Sequence, residues 1–365
     1  MKDERFSKVF DLVVKSQAWQ KMLAIREDSK WHREENVAEH TRMVAAWYND
    51  NLANSRTPHQ QYLTRLALLF HDFGKPHART EKFSEERGVY YSYPGHEKFS
   101  ARLFLDFYMA HREGFEPFSS MTWDEVRTVQ FMIEYHLPYE TMKVDKLANI
   151  KRDIMWQGES VLQMFFDVLQ SDAHGRISDD PEGTYARVGD WIEKFSQVEV
   201  SPIPPMDNTK PHLVVLIGAS GSGKSTFCAN SDYEVFSLDK MRHDYFWFMN
   251  QRDAEYDEAW QYCVDNESGY NEMCMKVFVS MVKLRQDIVL DTVNATAKSR
   301  RKWLTVARHA GYNITAVEFP IALQTVLDRQ QTRPDKTVPA SSVKQQYLAI
   351  ALPLMGSEVD EIVVA

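Results

Sequence analysis

Cysteine is scarce in this chain of 365 residues: there are three, Cys228, Cys263 and Cys274. An odd number with no C-x-x-C spacing argues against a disulfide framework and fits a reducing compartment. Long apolar runs are also missing. The most apolar stretch, Leu213–Ile217, is far shorter than the ~20 residues that span a bilayer, and the charged start Met1-Lys-Asp-Glu-Arg5 leads into no apolar signal segment. A cytoplasmic protein with no membrane partner is expected. Positive charge is in deficit too, with 43 Lys and Arg against 52 Asp and Glu for a net −9. That balance excludes a protein held to duplex DNA by bulk positive charge. No internal repeat and no low-complexity tract occurs.

What is present is a globular composition, 44% hydrophobic and 26% charged, in a chain long enough for two domains. From Phe6 to about Phe195 the apolar residues recur at helical spacing, as in Tyr62, Leu63, Leu66, Leu69 and Phe70, which predicts an all-α half. Residues 200–211 then hold four prolines, which remove backbone donors and block helix. The predicted organisation is a first domain over 1–199, a proline-rich linker over 200–211 and a second domain over 212–365. In the second, short apolar strands at Leu213–Ile217, Val235–Leu238, Ile288–Leu290 and Ile314–Phe319 alternate with helices, which predicts an α/β domain with a parallel sheet.

Most of the histidines precede residue 200. His71 and Asp72 sit together at the end of an amphipathic helix, and the same half holds His40, His96, His136 and Asp172. Imidazoles and carboxylates suit borderline or hard divalent cations. His111 competes with His96 but lacks its Gly-His-Glu setting, and His32, His59, His77 and His174 are expected to be structural or to support the ligands. The ordered pattern H…HD…H…H…D over roughly 20–195 resembles the HD-domain metallophosphohydrolase superfamily. The resemblance implies one metal held by His40, His71, Asp72 and Asp172, with Asp72 bridging to a second held by His96 and His136. Two cations so placed clamp the attacking and leaving oxygens of a phosphoester. Lys75 and Arg176 are expected to add cationic contacts to the phosphate.

The second half opens with a phosphate cradle. Strand Leu213–Ile217 runs into Gly218, Ala219, Ser220, Gly221, Ser222, Gly223, Lys224, Ser225 and Thr226, a G-x-x-x-x-G-K-S loop in its strand–loop–helix setting. Its backbone amides and the next helix N-terminus suit phosphates, Lys224 reaches toward the β- and γ-phosphates, and Ser225 can ligate Mg²⁺. ATP with Mg²⁺ is the expected cofactor. Asp239 and Arg242 follow the second strand, Asp291 and Asn294 the third, and Arg329 and Arg333 lie four apart before Pro334. The Asp291 and Asn294 pair suits either a substrate role or the pinning of a strand end. Lys298, Arg300, Arg301 and Lys302 make a basic run, suited to a nucleic-acid backbone or to a solvated helix face.

Over about 211–345 these features resemble the P-loop polynucleotide 5′-kinase family. That resemblance implies Asp239 as general base on a 5′-hydroxyl, Arg242 on the acceptor phosphate, and Arg329 and Arg333 on a helical lid. The two halves in this order resemble the bacterial and phage HD-kinase end-healing enzymes. They imply a chain that removes 2′,3′-cyclic, 2′- or 3′-phosphates from RNA or DNA ends, phosphorylates 5′-hydroxyl ends, and hands both to a partner ligase. Mg²⁺ would serve the kinase, and Mn²⁺, Co²⁺, Ni²⁺ or Zn²⁺ the histidine site. Competing readings are an HD nucleotide phosphohydrolase joined to a small-molecule kinase, or to a P-loop module acting as an ATP-gated switch.

Overall fold

The helix Pro58–Phe70 shows how the first unit is assembled. In the computed structural model, which describes residues 4–26, 29, 32–85, 88–137, 142–332 and 338–365, Thr57 starts this helix with a capping box. Its hydroxyl accepts from Gln60 N at 3.2 Å and the Gln60 side chain accepts from Thr57 N at 2.9 Å. Tyr62, Leu63, Leu66, Leu69 and Phe70 are buried, and so are Thr64, Ala67 and Leu68, so the helix is enclosed almost all round rather than on one stripe. Helices Val37–Asn51, Trp123–Glu134 and Glu159–His174 pack against it. The chain divides into two compact units, Met1–Pro202 and Ile203–Ala365. No helix among the described residues is long and apolar enough to cross a membrane.

Among its described residues the first unit is built of helices and one strand pair. Thr80–Ser84 (β1) and Gly88–Ser92 (β2) form an antiparallel hairpin pairing Thr80 with Ser92 and Ser84 with Gly88. An all-α reading therefore fails over this segment. The reason is local: Phe83, Val89 and Tyr91 favour extended backbone, and all three are exposed, so they offer no helical stripe to a core.

The second unit holds a five-stranded parallel sheet in the order β4-β5-β3-β6-β7. Its strands are His212–Ile217 (β3), Glu234–Ser237 (β4), Ile288–Asp291 (β5), Asn313–Glu318 (β6) and Glu361–Val364 (β7). The central strand is apolar from Leu213 to Ile217, where it is buried on both faces. Leu213, Val215 and Ile217 join a core with Phe278 and Trp303, while Val214 and Leu216 pack with Val289, Val317 and Phe319. The short final strand, whose apolar run is only Ile362 to Val364, is an addition to the four expected. Val326, Val343 and Tyr347 from helices Leu323–Gln331 and Ala340–Leu348 pack on Ala219.

One further expectation is corrected. Arg300 does not belong to a solvent-facing basic run. It is 0% exposed, on the same helical face as Trp303, Leu304 and Ala307, and its guanidinium bonds Glu358 at 2.7 and 3.0 Å and several backbone carbonyls. Lys298, Arg301 and Lys302 are exposed.

Candidate active sites

In the first unit His40 and the other candidate ligands converge from separate elements. His40 projects from the helix Val37–Asn51, His71 and Asp72 follow Pro58–Phe70, His96 opens His96–His111, His136 follows Trp123–Glu134, and Asp172 lies in the last turn of Glu159–His174. All six are buried. Asp72 faces two ways: Oδ2 lies 3.3 Å from His71 Nε2 and 3.5 Å from His40 Nε2, while Oδ1 lies 3.1 Å from His96 Nε2 and 4.0 Å from His136 Nε2. Asp172 Oδ1 approaches His40 Nε2 at 3.1 Å and His71 Nε2 at 3.8 Å. His40, His71 and Asp172 make one group with metal-ligand spacing, and Asp72, His96 and His136 a second.

The tautomers follow from the partners. Nδ1 of His71 donates to Leu68 O at 2.7 Å, that of His96 to Tyr93 O at 2.8 Å and that of His136 to Ile133 O at 2.7 Å. A carbonyl only accepts, so each of these rings keeps a proton on Nδ1 and turns Nε2 inward, where a neutral ring presents a lone pair. Buried lone pairs and carboxylate oxygens crowded together repel one another unless a cation or a proton lies between them. The donor set thus fits two divalent cations sharing Asp72, with nitrogen and oxygen ligands that suit borderline ions.

The electrostatics of the cluster agree with this polarity. Burial pushes His136 down to about 3, helped by His71 and His96. Burial also works against a proton on His40, but the carboxylates of Asp172 and Glu34 outweigh it and hold His40 up at about 9. Burial would raise Asp72 and Asp172. Lys75 and His71 instead hold Asp72 well below the usual carboxylate range, and Arg176 and His40 do the same for Asp172. Lys75 Nζ sits 2.8 Å from Asp72 Oδ2, and Arg176 pairs with Asp172 through both its carboxylate and its backbone carbonyl. Both cations therefore touch the candidate ligands themselves.

Glu34 is a residue that the sequence pattern did not reveal. Its side chain is fully buried, accepts from Ile177 N at 2.8 Å, and lies 3.3 Å from His40 Nδ1 and 3.4 Å from His32 Nδ1. His32, expected to be structural or supporting, packs edge-on against His40 with ring centroids 4.8 Å apart. His111 donates instead to Phe107 O, His174 is stacked between Trp47 and Tyr185, and His59 pairs with Glu125.

In the second unit a cavity of about 1100 Å³ is lined by Ser220, Gly221, Gly223, Lys224, Ser225 and Thr226 together with Asp239, Arg242, Asp291 and Arg329. Gly221 and Gly223 have φ of +90° and +112°, a left-handed backbone that glycine adopts without strain. A Cβ at Gly221 would also fall 2.5 Å from Gln330 Nε2. Lys224 Nζ donates to Gly218 O at 2.7 Å and Ala219 O at 2.9 Å, bracing the loop. Gly218, Ala219 and Ser222 do not line the cavity; Ala219 packs under the helices Leu323–Gln331 and Ala340–Leu348. The helix after the loop is short, Lys224–Ala229.

Asp239 falls in the first turn of helix Leu238–Asn250, just past the end of β4. Arg242, one turn on, is ion-paired to its Oδ1, and Tyr256 donates to the same oxygen at 3.1 Å. Asp291 ends β5 and lines the cavity. Asn294 lines the cavity as well and also pins a strand end, its amide donating to Leu216 O at 2.9 Å. Arg329 donates to Gly221 O at 3.3 Å, while Arg333 lies outside the described residues. The helix Leu323–Gln331 is fastened to the loop by Gln330, whose amide reaches Ser220 Oγ at 3.3 Å, and Gln346 accepts from Ser220 N at 3.1 Å.

Residues 213–353 match a family model described as an AAA domain. A stretch of 155 residues, 41% of this chain, is 27% identical to a putative bifunctional polynucleotide kinase/RNA ligase of Autographa californica nuclear polyhedrosis virus. That stretch covers 22% of the viral protein, so the chain spans about a fifth of the length of the relative it matches. The second unit is thus a P-loop domain similar to one in a polynucleotide kinase/RNA ligase. Tyr256 and Trp260, which share one helical face and line the same cavity, are further candidate residues that sequence reasoning missed. Their i,i+4 aromatic spacing was the available signal, but which way that face points is a matter of packing.

Proposed function

We propose that this chain is a nucleic-acid end-processing enzyme with two reactions. The P-loop unit transfers the γ-phosphoryl group of ATP to a 5′-hydroxyl end. The first unit removes 2′,3′-cyclic, 2′- or 3′-phosphates. The observation that carries the reading is the single cavity that holds the phosphate loop beside Asp239 and Arg242, supported by the similarity to a polynucleotide kinase/RNA ligase.

In the kinase step the 5′-oxygen attacks the γ-phosphorus, its proton passes to the Asp239 carboxylate, and the bond from the γ-phosphorus to the β–γ bridging oxygen breaks to release ADP. Arg242 and Tyr256 hold Asp239 in place through Oδ1. The Lys224 ammonium and Arg329 neutralise charge on the transferring group, and the Ser225 hydroxyl is placed to hold Mg²⁺. Arg333 is proposed as a second lid cation.

In the first unit His40, His71, Asp172 and Asp72 would hold one divalent cation, and Asp72, His96 and His136 a second. Bound there, the cations supply Lewis acidity to a phosphoester. Asp72 keeps the two ligand groups in register, and Lys75 and Arg176 orient its carboxylate and that of Asp172. The choice of metal, Mn²⁺, Co²⁺, Ni²⁺ or Zn²⁺, follows from imidazole ligation. Products with 3′-hydroxyl and 5′-phosphate ends are substrates for a ligase, the proposed partner.

The test is to incubate γ-labelled ATP with 5′-hydroxyl oligonucleotides and, separately, with nucleosides, and to follow phosphate release from oligonucleotides ending in 3′-phosphate or 2′,3′-cyclic phosphate. Labelled oligonucleotide and released phosphate are expected. Label confined to nucleosides would replace the kinase reading by a small-molecule kinase, and ATP binding without transfer would replace it by a switch.

A further inference from the structure

Past Asp239 the cavity of the P-loop unit continues along one face of the helix Tyr256–Asp265, formed by Tyr256, Asp257, Trp260 and Gln261. Tyr256 and Trp260 are four residues apart, so they share that face about 6 Å apart along the axis. The Tyr256 hydroxyl touches the Asp239 carboxylate, which places Trp260 one helical turn further from the proposed base. The same helix turns Ala259 and Cys263 into the core, whereas Trp260 is 43% exposed. Much of its indole is thus left open to the cavity side rather than enclosed in the core.

We propose that Trp260 is a stacking wall for the nucleobase at the 5′ end of the acceptor, so that the acceptor site reads a whole terminal nucleotide and not a bare hydroxyl. This rests on the kinase reading and goes on to name what the acceptor must carry. Trp260 lies one helical turn from Tyr256, whose hydroxyl touches the group that takes the proton, and in a terminal nucleotide a ribose likewise stands between the 5′-oxygen and the base. Asp257 beside Trp260 carries negative charge, which disfavours phosphate at this wall and leaves an uncharged aromatic ring as the fitting occupant. Arg242, which pairs with Asp239 and lines the same cavity, is the cation proposed to meet the acceptor's phosphate. Every base offers a π-face, so the wall selects for the presence of a base with little regard to its identity.

The test is a coupling experiment on the full chain with two oligonucleotides, one with an ordinary 5′-terminal nucleotide and one with an abasic 5′-terminal nucleotide, each phosphorylated by the wild type, Trp260→Phe and Trp260→Ala. The wild type should show a KM for the abasic end about tenfold or more above that for the ordinary end, the size expected for one base–aromatic stack. Trp260→Ala should raise KM for the ordinary end by a similar factor, leave the abasic end unchanged, and so abolish the preference. Trp260→Phe should keep most of it. The KM for ATP should be the same in all three, which also reports a folded P-loop unit. Equal use of both ends by the wild type, or a preference that survives in Trp260→Ala, overturns the stacking wall alone. Failure of the wild type to phosphorylate any oligonucleotide overturns the kinase reading and this inference with it.

Discussion

Glu34 accepts a hydrogen bond from Nδ1 of His40 at 3.3 Å. The other three imidazoles of the cluster, His71, His96 and His136, give their Nδ1 protons to backbone carbonyls. A carboxylate in this position fixes the ring, turns Nε2 to the cluster and makes the imidazole a stronger donor to a cation. Glu34→Ala should therefore weaken metal affinity about 10–100-fold, with Glu34→Gln recovering part of the loss because an amide oxygen still accepts from His40. Titration with Co²⁺ followed by its visible absorption measures both the affinity and the ligand geometry. Unchanged Co²⁺ affinity in Glu34→Ala would remove this role.

The two proposed reactions should separate by mutation. Asp72→Ala takes away the carboxylate that faces both ligand groups, so phosphate release should fall below detection while 5′-phosphorylation stays close to wild type. Asp239→Ala should do the reverse, lowering the kinase rate ~10²–10⁴-fold as expected for loss of a general base. Both rates measured on each purified variant decide the matter. A parallel fall in both rates for folded Asp72→Ala contradicts independent sites, and an unaffected kinase in Asp239→Ala would transfer the role of base to Asp291.

They should also separate by metal. Four imidazoles favour a transition ion, whereas a serine hydroxyl and ATP phosphates suit an octahedral ion that keeps its waters. After chelation, Mg²⁺ alone should restore oligonucleotide phosphorylation and little phosphate release, and Mn²⁺, Co²⁺, Ni²⁺ or Zn²⁺ should restore the latter. Full phosphatase recovery on Mg²⁺, with trace metals excluded by elemental analysis, would falsify the histidine site as drawn.

Arg300→Ala should act on stability. Removing one partner of a buried ion pair leaves Glu358 and several carbonyls without their donor and costs about 3–5 kcal/mol. Urea unfolding of the P-loop unit should show the loss. Replacing exposed Lys298 or Arg301 by Ala should shift stability by no more than about 0.5 kcal/mol. A destabilisation by Lys298→Ala equal to that of Arg300→Ala would contradict the burial pattern of this helix.

What the sequence determined unaided is what short-range chemistry dictates. A phosphate loop needs glycines, a lysine and a serine at set offsets after an apolar strand, so Gly218–Thr226 is legible as a string. The adjacency of His71 and Asp72 and the helical periodicity around them are legible for the same reason. The convergence of His40, His96, His136 and Asp172 on that pair could be anticipated only through resemblance, because each comes from a different element.

Tertiary structure decided the rest. Arg300 belongs to a run of basic residues in the string, but helical phase sets it on the same face as Trp303 and Leu304, and Glu358, 58 residues on, supplies the partner. Glu34 precedes the helix that carries His40, and only the fold brings Ile177 N within 2.8 Å of its carboxylate. The cavity face of Tyr256 and Trp260 is set by which side of their helix the core claims. The physical reason is common to all three: burial and hydrogen bonding depend on distance in space, and local sequence constrains distance only over the few residues of a turn.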